Sequence, residues 1–285
     1  MKEIAYVNGA FTPLAEAKVS VLDRGFLFAD GIYEVSAVLG GLLIDNQSHL
    51  ARLKRSVGEI ALALPETLER IKEIQKELIA RSELIDGLVY IQVTRGAAKP
   101  RDFVFPKDTP STLVMFTSGK DIVNSPAAKT GIAVKTVPDL RWARRDIKSV
   151  GLLAQVLAKQ AAAEAGCQEA WMIEDGAVTE GGSSTAFILT QDDVLVTRPN
   201  STAVLPGCTR KAVMALAEEV QLRIEERPFT VKEALAAKEA FITSASSFVH
   251  PVVTIDGEKV ATGKPGPIAT RLREIYIDFA RATAE

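Results

Sequence analysis

Two cysteines and two histidines are all that 285 residues carry of those types. Cys167 and Cys208 build neither a disulfide framework nor a zinc spacing. His49 and His250 are too few for a histidine-rich metal centre, so no metal is expected. Charge of one sign is missing too: 34 Lys and Arg stand against 36 Asp and Glu, a net −2. No basic face is implied, which disfavours nucleic acid and anionic membrane as partners. No apolar run approaches the roughly 18 residues that cross a bilayer. Met1-Lys2-Glu3-Ile4 carries an early acid and no apolar signal core, so a cytoplasmic protein is expected. Internal repeats and low-complexity segments are also lacking. What is present is ordinary globular material, 47% hydrophobic and 25% charged, long enough for one large domain or two of moderate size.

Apolar periodicity outlines an α+β chain. Residues 4–8 read as a short strand, 19–22 as a second extended piece, and Asp23-Arg24-Gly25-Phe26 as a turn. Residues 32–38 read as a strand that returns through a Gly40-Gly41 hairpin. Helical spacing runs over 49–64 and, after Pro65, over 68–79. Strands follow at 87–94 and 112–117. The polar stretch 121–130, with Asn124, Ser125 and Pro126, reads as a linker between a small N-terminal domain, 1–120, and a larger one, 131–285. The second half alternates hairpins (169–178, 185–197, 240–255) with helices near 150–165, 210–220, 232–237 and 267–282.

Chemistry gathers where strands give way to helices or turns. Asp146-Ile147-Lys148-Ser149 lies between an extended segment, 131–139, and a helix that Ser149 is placed to cap and Gly166 to stop. A cation at a helix start is electrostatically unfavourable. A lysine that loses its charge by forming a Schiff base escapes that cost; a plain solvated lysine is the alternative. Glu180, before Gly181-Gly182-Ser183-Ser184, suits a charge-assisted bond to a heterocyclic nitrogen, or is a solvated turn residue. Gly207-Cys208-Thr209 opens a helix whose exposed N–H groups suit an anion, or is an ordinary helix start capped by Thr209. The hydroxyl-rich loop Ser244-Ala245-Ser246-Ser247 follows a strand. Arg52 offers a guanidinium, or a surface ion pair. A lysine amine, a ring-nitrogen acid, an anion site and an arginine are the parts that pyridoxal 5'-phosphate requires.

The order of these segments resembles the fold-type IV pyridoxal-phosphate-dependent transaminases, and among them the D-amino-acid transaminases. The matching stretches are Tyr6-Val7-Asn8-Gly9, Asp23-Arg24-Gly25-Phe26, Asp30-Gly31-Ile32-Tyr33-Glu34, His49-Leu50-Ala51-Arg52-Leu53 and Gln92-Val93-Thr94-Arg95-Gly96. Asp146-Ile147-Lys148-Ser149, Leu157-Ala158-Lys159-Gln160, Thr179-Glu180-Gly181, Gly207-Cys208-Thr209-Arg210 and the 243–247 loop continue the pattern. The resemblance implies the mixed α/β two-domain fold of that family and a homodimer. It implies that Lys148 bonds the cofactor and moves the substrate proton, and that Glu180 holds the pyridine nitrogen. Arg52, Cys208, Thr209, Ser244, Ala245 and Ser246 would surround the phosphate, with Ala245 standing where a threonine hydroxyl is expected. Tyr33 would lie near the substrate. Arg101 matches an arginine that traps the substrate carboxylate across the dimer interface, while Phe103 replaces its histidine companion. Thr185 replaces a common asparagine. The implied substrates are a D-amino acid, D-alanine first, and a 2-oxo acid such as 2-oxoglutarate or pyruvate. Branched-chain L-amino-acid transaminases, (R)-amine transaminases and aminodeoxychorismate lyases are the alternatives of the same fold.

Overall fold

The computed structural model describes residues 1–285, which divide into two compact units. The first comprises Met1–Asp121 with the returning segments Ile147–Gly151 and Thr283–Glu285. The second comprises Ile122–Asp146 and Leu152–Ala282.

The first unit contains β1 (Ile4–Val7), β2 (Ala10–Pro13), α1 (Arg24–Phe28), β3 (Gly31–Leu39), β4 (Leu42–Leu43), α2 (Asn46–Glu59), α3 (Leu68–Ser82), β5 (Gly87–Thr94) and β6 (Thr112–Gly119). Its strands form an antiparallel sheet in the order β2-β1-β6-β5-β3-β4. The period-2 pattern of β3 decides the layering. Ile32, Glu34, Ser36 and Val38 are buried, while Tyr33 and Val35 are half-buried on the other face. Leu53, Ile71, Ile74 and Leu78 complete the apolar core with Ile91 and Met115.

The second unit contains α4 (Pro126–Thr130), β7 (Ile132–Pro138), α5 (Leu153–Glu164), β8 (Glu169–Glu174), β9 (Ala177–Gly181), β10 (Thr185–Leu189), β11 (Val194–Thr197), α6 (Cys208–Glu219), β12 (Arg223–Glu226), α7 (Val231–Leu235), β13 (Glu239–Ser244), β14 (Phe248–Ile255), β15 (Glu258–Lys259) and α8 (Pro267–Thr283). The sheet order is β12-β11-β10-β13-β14-β7-β8-β9, with β15 on β14. Pairing is parallel at β11–β12, β14–β7 and β7–β8 and antiparallel elsewhere. Phe187 and Phe241 stack across β10 and β13 with ring centroids 4.9 Å apart. Trp171 meets Phe229 edge to face. Glu239 caps α8, accepting from the N–H groups of Ile268 (2.9 Å) and Ala269 (2.8 Å).

Several sequence expectations give way to the structure. Asp23-Arg24-Gly25-Phe26 is not a plain turn: Asp23 accepts from Gly25 N at 2.8 Å and caps α1. Residues 19–22 form no strand. The linker at 121–130 holds α4, and Lys148 lies in a segment that groups with the first unit rather than with 131–285. Ser149 does not cap α5, which starts four residues later behind Leu152. It is extended instead, bridging to Ile32, so the helix-start argument for Lys148 does not apply. The apolar repeat of α5 does not face a core either. Ala158 and Ala162 are buried against Ala170 and Met172, while Leu153, Val156 and Leu157 are exposed. Gly166 does stop α5, at φ +73°, donating to Ala163 O at 2.9 Å. β12, rich in charge, carried no strand signal.

Candidate active site

In the first unit Lys148 is fixed by backbone on both sides. Its carbonyl accepts from Tyr33 N (3.0 Å), and Val150 N donates to Gly31 O (3.0 Å). Lys148 N donates to Ser56 Oγ at 3.4 Å, and Ile147 is anchored in the core. The side chain is therefore aimed by the β3 edge. Its Nζ stands 4.1 Å from the centroid of the Tyr33 ring. Tyr33 stacks on Tyr90 at 5.7 Å and Tyr90 on Phe116 at 4.8 Å, a row running across β3, β5 and β6. Burial, with Tyr33 adding to it, pushes the Tyr90 phenol up to about 12. Tyr90 is thus neutral at working pH.

On the opposite face of β3, Glu34 is fully buried. Arg52 on α2 grips it with two bonds, Nε to Oε1 at 2.7 Å and Nη2 to Oε2 at 2.8 Å. His49 Nδ1 lies 2.9 Å from Oε2. Burial alone would push this carboxyl up, but Arg52 and His49 outweigh it and hold it well below the usual carboxylate range. Arg52 is therefore no surface ion pair; it is held rigid by a buried anion.

Arg101 and Phe103 occupy a loop of the same unit. The Arg101 guanidinium lies over the Phe28 ring at 4.5 Å and is 5.7 Å from the Phe103 ring centroid.

In the second unit Glu180 is buried on β9. Arg141 Nη1 donates to its Oε1, and Leu205 N lies 3.2 Å from each oxygen. Arg141 is itself held by Asp139, through Nε at 2.9 Å and Nη2 at 2.6 Å. Thr179 Oγ1 closes the chain on Asp139 at 2.6 Å. Burial pushes the Glu180 carboxyl up, and Arg141 and the Leu205 N–H oppose that. Burial is outweighed at Asp139, whose carboxyl the Arg141 and Thr179 bonds hold down. Arg141 and Asp139 escaped sequence reading because they sit in a polar connection. The signal was its charge density, with Arg141, Arg144, Arg145 and Asp146 within a few residues.

The head of α6 has Gly207 as N-cap with no side-chain cap. Thr209 does not cap the helix; its buried Oγ1 has no partner. Thr185 packs on this head: its Oγ1 lies 3.0 Å from where a Cβ on residue 207 would sit, so only glycine fits without displacement. Thr185 also pairs with Thr243 across β10 and β13, and the buried Thr243 Oγ1 likewise lacks a partner. The Ser244 hydroxyl contacts Ser247 Oγ at 2.7 Å and Ser246 Oγ at 3.3 Å. Ala245 offers no hydroxyl. A buried unpaired hydroxyl costs about 1–3 kcal/mol, an expense an anion at the helix head would relieve. These donors fit the phosphate of the expected cofactor. The structure thus gathers Lys148, Tyr33, Arg52, Arg101 and Phe103 in one unit and Glu180, Cys208, Thr209 and the 244–246 loop in the other.

The family model for amino-transferase class IV matches residues 31–255. This chain belongs to amino-transferase class IV. It is 40% identical over 271 residues to the D-alanine aminotransferase of Bacillus licheniformis, covering 93% of each chain. It is 38% identical to that of Staphylococcus haemolyticus, over 94% of this chain and 95% of the relative. Among solved structures, the T.th. branched-chain amino acid aminotransferase complexed with N-(5'-phosphopyridoxyl)-L-glutamate superposes with a TM-score of 0.90 at 25% identity. That match covers 99% of this chain and 95% of the other. The branched-chain enzyme from Escherichia coli shares the fold at TM-score 0.88 and 20% identity, covering 100% and 96%. In this class IV aminotransferase the fold is therefore the mixed α/β one that the ordered motifs implied.

Proposed function

We propose that this class IV aminotransferase uses pyridoxal 5'-phosphate to move an amino group between a D-amino acid, D-alanine foremost, and a 2-oxo acid such as pyruvate or 2-oxoglutarate. The observation that carries this reading is the 40% identity to a D-alanine aminotransferase sustained over 93% of both chains. When bound, the cofactor supplies an electrophilic carbon and a ring that accepts the electron pair released from the substrate Cα. Lys148 Nζ would hold the cofactor covalently and, as a free amine, would carry the proton between the substrate Cα and the cofactor. Glu180 holds a proton on the ring nitrogen, where a charge-assisted bond is strongest. Thr209, the N–H groups at Cys208 and Thr209, the hydroxyls of Ser244 and Ser246, and Arg52 bind the phosphate, with Ala245 contributing backbone alone. Arg101 meets the substrate carboxylate, and Tyr33 and Phe103 shape the substrate side. The enzyme works as a cytoplasmic homodimer; cell fractionation checks the compartment.

Supplying D- and L-alanine separately with 2-oxoglutarate and measuring pyruvate tests the substrate. Pyruvate from D-alanine alone is the expected outcome. Turnover of the L form alone transfers the reading to a branched-chain L-amino-acid transaminase, one of the same-fold alternatives that Phe103, by loosening carboxylate recognition, keeps open. Lys148→Ala should remove the long-wavelength absorbance of lysine-bound cofactor, and retention of that band would reject the Lys148 assignment.

A further inference from the structure

Arg24 is a nearly buried cation that the reaction does not use. It sits on α1, and its donors go to an unusual set of acceptors. Nε donates to Asp30 Oδ2 at 2.8 Å, Nη1 to the carbonyls of Asp102 (2.5 Å) and Val104 (3.4 Å), and Nη2 to that of Phe103 (3.1 Å). One guanidinium thus binds three successive carbonyls of the loop that carries Arg101 and Phe103, and such charge-assisted bonds are the strong ones. Asp30 is shared with Arg95, whose Nε and Nη2 reach it at 2.8 and 3.0 Å. The Arg95 guanidinium lies 3.5 Å from the Phe105 ring centroid. Burial would raise the Asp30 carboxyl, but Arg95 and Arg24 hold it down, so both cations face an ionised partner.

Phe28 extends the same grip from α1. Its ring carries the Arg101 guanidinium at 4.5 Å and meets the Phe103 ring at 5.2 Å. The loop is also pinched at its base. Gly96 has φ +83°, and a Cβ there would meet Pro110 O at 2.0 Å. The backbone is therefore held from within, while Phe103 is 76% and Val104 72% exposed. A long irregular segment fixed this firmly, with its side chains turned outward, is built to present them. Arg101 is steadied by aromatic faces rather than by an acidic partner, which leaves its donors available for a carboxylate.

We propose that Arg24 and Phe28, both on α1, are positioning residues that hold the 101–104 loop and thereby set how Arg101 and Phe103 select the substrate carboxylate. This rests on the reading that Arg101 meets that carboxylate. The test uses holoenzyme variants Arg24→Lys, Phe28→Leu and Arg101→Gln, with three readouts: KM and kcat for D-alanine, cofactor absorbance, and amide hydrogen exchange over 99–106. Arg24→Lys keeps the charge but loses the fork that reaches three carbonyls. Arg24→Lys and Phe28→Leu should each raise KM roughly tenfold or more, speed exchange over 99–106, and leave kcat and the absorbance near wild type. If Arg101→Gln raises KM while Arg24→Lys and Phe28→Leu leave KM and exchange unchanged, the inference is overturned and the carboxylate reading stands. If Arg101→Gln leaves KM unchanged, the carboxylate reading falls, and the selective role of the loop falls with it. Should Arg24→Lys fold poorly, Phe28→Leu decides by the same readouts.

Discussion

At the scale of single residues, the buried carboxylates Glu34 and Glu180 are each set against a fixed guanidinium. Glu180 shows what that achieves. Its burial favours the neutral acid, yet the proposed role at the ring nitrogen needs the carboxylate. Arg141 supplies the counter-charge, and Asp139 with Thr179 fixes Arg141 in turn. Arg141→Met removes the counter-charge and leaves only the Leu205 N–H to oppose burial. The Glu180 carboxyl then holds its proton to higher pH, so the acid limb of the kcat profile moves to higher pH and activity recovers as pH rises. Losing one member of a buried pair should also lower stability by about 3–5 kcal/mol. A pH profile with an unmoved acid limb would refute this role for Arg141. Lys148 and Glu180 were legible as chemical types in ordered motifs. The partners of Glu180 and Arg52 were not, because Arg141 on a loop and Glu34 beneath α2 make contacts between elements that no spacing in the sequence encodes.

At the scale of elements, most of the regular structure was legible from periodicity. β5 and β10 coincide with their apolar runs, and the Asp175-Gly176 turn joins β8 to β9. Failures occur where local signals compete with tertiary pairing. Ser149 has N-cap chemistry, but its backbone bridges Ile32 instead. β12 exists because β11 offers it a parallel edge, not because its residues favour strands. The α6 head is the opposite case, since the Gly207-Cys208-Thr209 stretch was read as a helix opening and Gly207 is its N-cap. Its test separates ligand binding from folding. Thr209 Oγ1 has no partner within the protein, so Thr209→Val removes no internal hydrogen bond. The apo protein should melt no lower than wild type. Affinity for pyridoxal phosphate should fall by about 1.5–3 kcal/mol, the usual range for a bond to a charged group, or roughly 10- to 150-fold. Equal cofactor affinity in titration of the two apo proteins would remove Thr209 from the phosphate site.

At the scale of the whole molecule, residues 147–151 group with the first unit although they lie within the sequence block of the second. Chain order cannot reveal a segment that leaves one unit's sequence block to pair with β3 of the other. The exposed apolar residues belong to this scale. Leu153, Val156 and Leu157 are spaced to share one face of α5, and all three are more than half exposed. Their helix is already anchored through Ala158 and Ala162 on its other side, so the stripe is not needed for packing within the unit. An aliphatic stripe of this kind marks an interface in soluble proteins. A second copy of the chain is the partner to expect, because closed two-fold pairing is the commonest assembly and presents the same patch from both sides. Light scattering of the wild-type enzyme at micromolar concentration should therefore give twice the 30.7 kDa chain mass. Leu153→Glu combined with Val156→Glu buries charge in that contact and should shift the mass toward a single chain while the fold, read by circular dichroism, persists. A single-chain mass for the wild-type protein would reject the homodimer, and an unshifted mass in the double variant would move the interface away from α5.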